Sequence, residues 1–128
     1  MNAPEHIREG ADAAWRKIAY NPDRIHELAD ADLDALETAT ALMRPLAEAA
    51  LVSMCGGVDH ANAVLAKLRG FKQSKLMRLV AAAKKAAVTH RNPTQYQMAA
   101  FVIDAQVGCS FIAVERERRH AQRAGAVT

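Results

Sequence analysis

An all-α fold is predicted by three features of the sequence. Its apolar content is mostly Ala, Leu, Val and Met; aromatic, Gly and Pro residues are few; and apolar positions recur every three or four residues along most of the chain. With 128 residues, 51% of them hydrophobic, the chain can bury a core without disulfide or metal. The expectation is a compact bundle of five or six helices with a long, largely buried C-terminal helix. Residues 1–123 are read as a single helical domain and 124–128 as a flexible tail.

The first helix follows from Pro4, tolerated at a first helical position, and from the stripe Ile7, Ala11, Ala14 and Ile18, with Trp15 beside it as a core anchor. It ends at Tyr20-Asn21-Pro22, where Asn21 and Pro22 cap and start a short helix through Leu28. Asp30, Asp32 and Asp34 then supply a cap and favourable charge for a longer helix reaching Met54. Leu33, Leu36, Thr40, Met43, Ala47, Ala50 and Met54 form its stripe, Leu42 and Leu46 widen it, and Pro45 predicts a kink or a break. Gly56-Gly57 ends this helix, and Asp59 is placed to cap the next, whose stripe is Ala61, Val64, Leu65 and Leu68. Gly70 interrupts again. A further helix starts at Gln73 or Ser74, with Leu76, Leu79, Val80, Ala83 and Ala87 facing inward. Asn92 as N-cap, Pro93 and Gln95 open the last helix, expected to reach His120 or Arg123. In it, Met98, Phe101 or Val102, Ala105, Cys109 and Ile112 form one stripe, and Ile103, Val107, Phe111 and Val114 a second. That pattern suits a helix in the middle of a bundle or at a subunit interface.

The net charge of +3 conceals an uneven distribution. Residues 1–60 hold five bases against eleven acids, and residues 61–128 hold twelve against three, so the chain is electrically polarised. Cys55 and Cys109 stand far apart in apolar contexts without a CxxC pair, and are read as reduced thiols of a cytoplasmic protein. No secretory signal is read, and no apolar run is seen to approach the roughly 20 residues of a membrane span, so no membrane partner is expected.

No nucleophile and base stand in a recognisable local arrangement, and glycine-rich phosphate motifs are absent, so an enzyme is not expected. Cys55 and His60 lack a second pair at metal-ligand spacing, and the single Glu-x-x-His, Glu117 to His120, falls short of a di-iron set. No metal or cofactor is expected. What the sequence does concentrate is cations: Lys67, Arg69, Lys72, Lys75, Arg78, Lys84, Lys85 and Arg91. Lys75, Arg78, Ala82 and Lys85 recur at spacings of three and four and form one exposed ridge, suited to phosphate contacts that ignore base sequence.

Leu65-Ala66-x-x-x-Gly70-Phe71 followed by Leu76 and Leu79 resembles the helix-turn-helix pattern of DNA-binding regulators. The resemblance covers residues 62–81. It implies that Gln73, Ser74, Lys75 and Arg78 reach bases or phosphates from the start of a recognition helix. Arg69 departs from it, standing where that family places an apolar residue packed inside the motif. A small, all-helical chain with a basic cluster from Lys67 to Arg91 and no active site is also similar to the helical small subunits of multi-subunit CRISPR ribonucleoprotein complexes. That resemblance implies a non-enzymatic accessory subunit, stacked on other protein subunits or on copies of itself, that holds nucleic acid without cutting it. A third expectation, from a different class, is a protein-interaction adaptor that docks through its C-terminal helix and binds no nucleic acid.

Overall fold

The structure, a computed structural model, describes residues 4–127, with side chains through Gly125. Five α-helices and one 3-10 helix, and no strand, occur among these residues, so the fold is all-α as the composition predicts. They are α1 (Glu5–Lys17), a 3-10 helix (Pro22–Glu27), α2 (Asp30–Cys55), α3 (Val58–Arg69), α4 (Gln73–Val88) and α5 (Gln95–Val127). The last runs past the expected end at His120 or Arg123.

Three helices stop in the same way. After α2 the Gly56 N–H donates to Ser53 O at 3.3 Å and Gly57 N–H to Val52 O at 3.1 Å, with Gly56 at φ 76°. After α4, His90 N–H donates to Ala87 O and Arg91 N–H to Ala86 O, with His90 at φ 55°. After α1, Ala19 and Tyr20 donate to Arg16 and Trp15 carbonyls, with Ala19 at φ 53°. Each is a Schellman ending, which satisfies orphan carbonyls by turning the chain left-handed, and after α1 Tyr20 follows Ala19 into that region at φ 58°.

Helix starts differ from the expectation. Thr94, not Asn92, caps α5: its Oγ1 accepts from Gln97 N–H at 3.1 Å and the Gln97 Oε1 accepts from Thr94 N–H at 3.0 Å. A reciprocal capping box satisfies two orphan donors at once, which Asn92 could not do. Asp59 and Asp30 lie within the first turns of α3 and α2 rather than at caps. Asn21 does cap, accepting from Asp23 N–H at 3.0 Å. Pro45 sits inside α2, which is assigned as one helix through it.

The chain gathers into two compact units, described separately. The first is Arg44–Gln106; the second joins the segment up to Met43 with the segment from Val107. In the first, Leu51 of α2, Leu65 and Leu68 of α3, Val80 of α4 and Met98 and Val102 of α5 form the core. The Gln95 amide donates to Met54 O at 3.1 Å and so satisfies a carbonyl at the end of α2. In the second, Ile18 of α1, Ile25 and Leu28, Leu33 and Leu36 of α2, and Ile112 of α5 pack together with Trp15 against them. Burying each such side chain fully contributes on the order of 2 kcal/mol.

Several apolar residues do not join a core. Leu42 and Leu46 are exposed, because the buried line of α2 advances through Leu36, Ala39, Ala47 and Leu51 and leaves them off it. Val107 and Val114 of the predicted second stripe of α5 are also exposed, so burial of this helix is concentrated in Met98–Val102. The stretch Gln95–Gly125 is, by length and composition, long and apolar enough to cross a membrane. This corrects the expectation that no apolar run approaches membrane length. A buried core helix has the same composition, and the first half of α5 serves that role.

Candidate functional site

α3 and α4 place the predicted cations in the first unit. Lys67 and Arg69 occupy the last turn of α3, Lys72 is the N-cap of α4 and Gln73 its first residue. Lys75, Arg78, Lys84 and Lys85 follow along α4, and Arg91 comes just after its Schellman ending. All nine, Gln73 included, are exposed. The exposed side of α4 differs in one position from the expectation: Ala82 is half-buried and Ala81 is exposed, so Lys75, Arg78, Ala81 and Lys85 mark the outward line. Ala87 is exposed while Ala86 is partly covered.

The start of α4 has no acidic residue in its first turn and no side-chain cap. Its first N–H groups and dipole therefore add partial positive charge to that of Lys72 and Lys75. Gly70 uses an ordinary right-handed conformation, φ −85°, and a Cβ there meets only Lys67 O at 3.5 Å. Ala66, the small residue of the helix-turn-helix pattern, is exposed, and Arg69 is turned outward with its Nη2 donating to Gln106 Oε1 at 3.3 Å.

Two aromatic rings, Phe71 of the helix-turn-helix-like pattern and Tyr96 of α5, lie among these cations. Phe71 and Tyr96 meet edge to face with centroids 6.2 Å apart. Lys75 Nζ lies 4.2 Å from the Phe71 centroid and Lys67 Nζ 5.3 Å from that of Tyr96. Such contacts are attractive without neutralising the charge. Phe71 precedes Lys75 by four residues, just ahead of α4, and the pair was readable as local; Tyr96 comes from another helix and left no local signal.

The decisive contrast is in how the two units treat their bases. The first holds nine Lys and Arg against three acids, and among the described residues only Arg44, bonded to Glu48 at 2.7 Å, forms an ion pair. The second holds eight bases against eleven acids, and among the described residues all but Arg8 are paired with a carboxylate. Arg116 there bonds Asp34 and Glu37, Arg119 bonds Asp30 and Glu115, and Lys17 bonds Asp32. In the first unit Asp104, which is partly buried, has its carboxyl pushed up by burial despite the nearby charge of Lys84.

Among the described residues no group of three His, Cys, Asp or Glu side chains is gathered as a metal centre would need. Cys55 and Cys109 are free thiols, and His60 Nδ1 lies 3.2 Å from the Cys55 carbonyl, which can only accept. In comparisons with known proteins, no family model, curated protein or solved structure matches this chain.

Proposed function

We propose that this protein binds nucleic acid through its phosphate backbone, as a non-catalytic accessory subunit of a larger nucleoprotein assembly. The observation that carries the reading is the unpaired state of the α3–α4 cations. Lys67, Lys72, Lys75, Arg78, Lys84, Lys85 and Arg91 are exposed and form no ion pair among the described residues, although the rest of the chain pairs nearly every base it has. Like charges crowded on one helix oppose its formation by about 0.2–0.5 kcal/mol per close pair, so an uncompensated ridge is favoured when a polyanion covers it. Phosphate oxygens at regular spacing supply that cover, and the uncapped start of α4 adds donors.

Binding of this kind releases counterions, so the logarithm of affinity falls with the logarithm of salt by about 0.7–0.9 for each phosphate neutralised. Replacing Lys75, Arg78 and Lys85 by Ala is expected to weaken binding to unrelated sequences alike and to lower the salt slope by roughly 2 to 3. Electrophoretic mobility or fluorescence anisotropy across a salt series measures both. An unchanged slope sinks the proposal. A marked sequence preference that is lost in Gln73→Ala moves the reading to a groove-reading regulator, and a native preparation that carries protein partners but no nucleic acid moves it to an adaptor.

A further inference from the structure

Two open clefts lie side by side in the second unit, sharing His26 and Arg118. The first, about 340 Å³, is lined by His26, Leu28, Arg118, Arg119, Gln122 and Arg123, with no carboxylate. The second, about 370 Å³, is more apolar: Pro22, Ile25, Phe111 and Val114 contribute to it, together with Asp23 and Glu115. Each reaches the size of a small-ligand pocket.

Two carboxylates that do not line the first cleft hold its guanidinium groups in place. Glu115 accepts from Arg118 Nε and Nη2 at 2.8 and 2.6 Å and from Arg119 Nε at 2.7 Å. Asp30 accepts from Arg119 Nη1 at 2.7 Å and Arg123 Nη2 at 2.8 Å, and the Leu28 carbonyl accepts from Arg119 Nη2. Arg118 Nη1, Arg123 Nε and Nη1, and the Gln122 amide are left without a partner among the described residues. Three guanidinium groups against Glu115 and Asp30 leave one positive charge at the first cleft, and the third carboxylate nearby, Asp23, lines the second. Arginine forks with spare donors are the arrangement that recognises a phosphate group, and the bonds to Glu115 and Asp30 orient these. The neighbouring cleft offers apolar surface, with Val114 67% exposed and the Phe111 ring partly so.

We propose that the paired clefts bind a phosphomonoester of an aromatic group, the phosphate among Arg118, Gln122 and Arg123 and the ring against Phe111 and Val114. This site is independent of the α3–α4 ridge. Calorimetry on the full chain at constant ionic strength, with inorganic phosphate and phenyl phosphate as probes, tests it. Phenyl phosphate is expected to bind about tenfold more tightly than inorganic phosphate, the worth of one modest apolar contact. Gln122→Ala, which disturbs no ion pair, and Arg123→Ala are each expected to weaken both probes by roughly three- to tenfold. Val114→Ser is expected to remove only the advantage of the ring, and the Lys75, Arg78 and Lys85 triple variant to change neither affinity. Absence of saturable binding, or binding indifferent to both Gln122→Ala and Arg123→Ala, overturns the phosphate site; equal affinity for the two probes overturns the part assigned to the second cleft.

Discussion

Glu115 is 4% exposed and accepts hydrogen bonds from Arg118 and Arg119, and these hold its carboxyl at about 2 rather than the ordinary 4.5. A carboxylate depressed in this way stabilises the fold fully above its unfolded value. The contribution drains as pH falls from about 4.5 toward about 2, and a shift of this size is worth up to about 3 kcal/mol. Asp104 has the opposite sign. Burial raises its carboxyl above 3.8, so its ionised form weakens the fold once pH rises past the unfolded value, and Asp104→Asn is expected to stabilise at neutral pH but not near pH 3. Urea unfolding of the parent, Glu115→Gln and Asp104→Asn between pH 2 and 7 checks both. A Glu115→Gln variant that loses stability in acid as steeply as the parent removes Glu115 as the cause. Neither residue announced this in the sequence. Glu115 sits in the run ERERR, which reads as a solvated helix end, and its burial depends on Asp30 and Leu28, which are remote in sequence and lock Arg119 over it.

At the scale of elements, all six helices were legible from three- and four-residue spacing and from Gly56, Gly57 and Pro22 as punctuation. What periodicity could not supply was which of several neighbouring polar residues caps. Asn92 and Thr94 both suit the role by type, and the choice fell to Thr94 because Gln97 reaches back to it. Helix ends without glycine were harder still, since nothing in the composition marks His90 as the residue that turns the chain left-handed. The same Schellman geometry at Gly56 and His90 allows a matched test. A Cβ at Gly56 meets nothing within 4 Å, so Gly56→Ala isolates the backbone cost and is expected to destabilise by about 1 kcal/mol. His90→Gly removes that strain and is expected to stabilise by roughly 0.5–1 kcal/mol after the greater freedom of the unfolded glycine is subtracted. Chemical denaturation of the two variants decides it, and a destabilised His90→Gly means that the imidazole makes a contribution larger than the strain.

At the scale of the molecule, the charge polarity seen between the halves of the sequence is redistributed by the fold. Asp30, Asp32, Asp34 and Glu37, which made the first half acidic, are bonded to Lys17, Arg116, Arg119 and Arg123, and three of those partners come from the basic half. The candidate site was legible residue by residue because a ridge on one helix is a local pattern; its isolation from carboxylates was not, because that depends on where every acid ends up. The two units should therefore answer salt in opposite directions. Raising ionic strength from about 20 to about 300 mM shortens the Debye length from about 20 Å to about 6 Å. Screening relieves repulsion among Lys72, Lys75, Arg78, Lys84 and Lys85, so amide exchange protection in α4 is expected to rise. The ion pairs around Asp30 weaken over the same range, least at Arg119, whose side chain is 12% exposed, so protection at the start of α2 is expected to fall. Hydrogen exchange read by mass spectrometry resolves both segments in one experiment. If protection in α4 falls with salt, attraction rather than repulsion dominates there, and the ridge loses its claim to be uncompensated. A polyanion that covers the ridge acts as salt does, but at one place: nucleic acid added at low salt is expected to raise protection in α4 alone, and to leave it unchanged when Lys75, Arg78 and Lys85 are Ala.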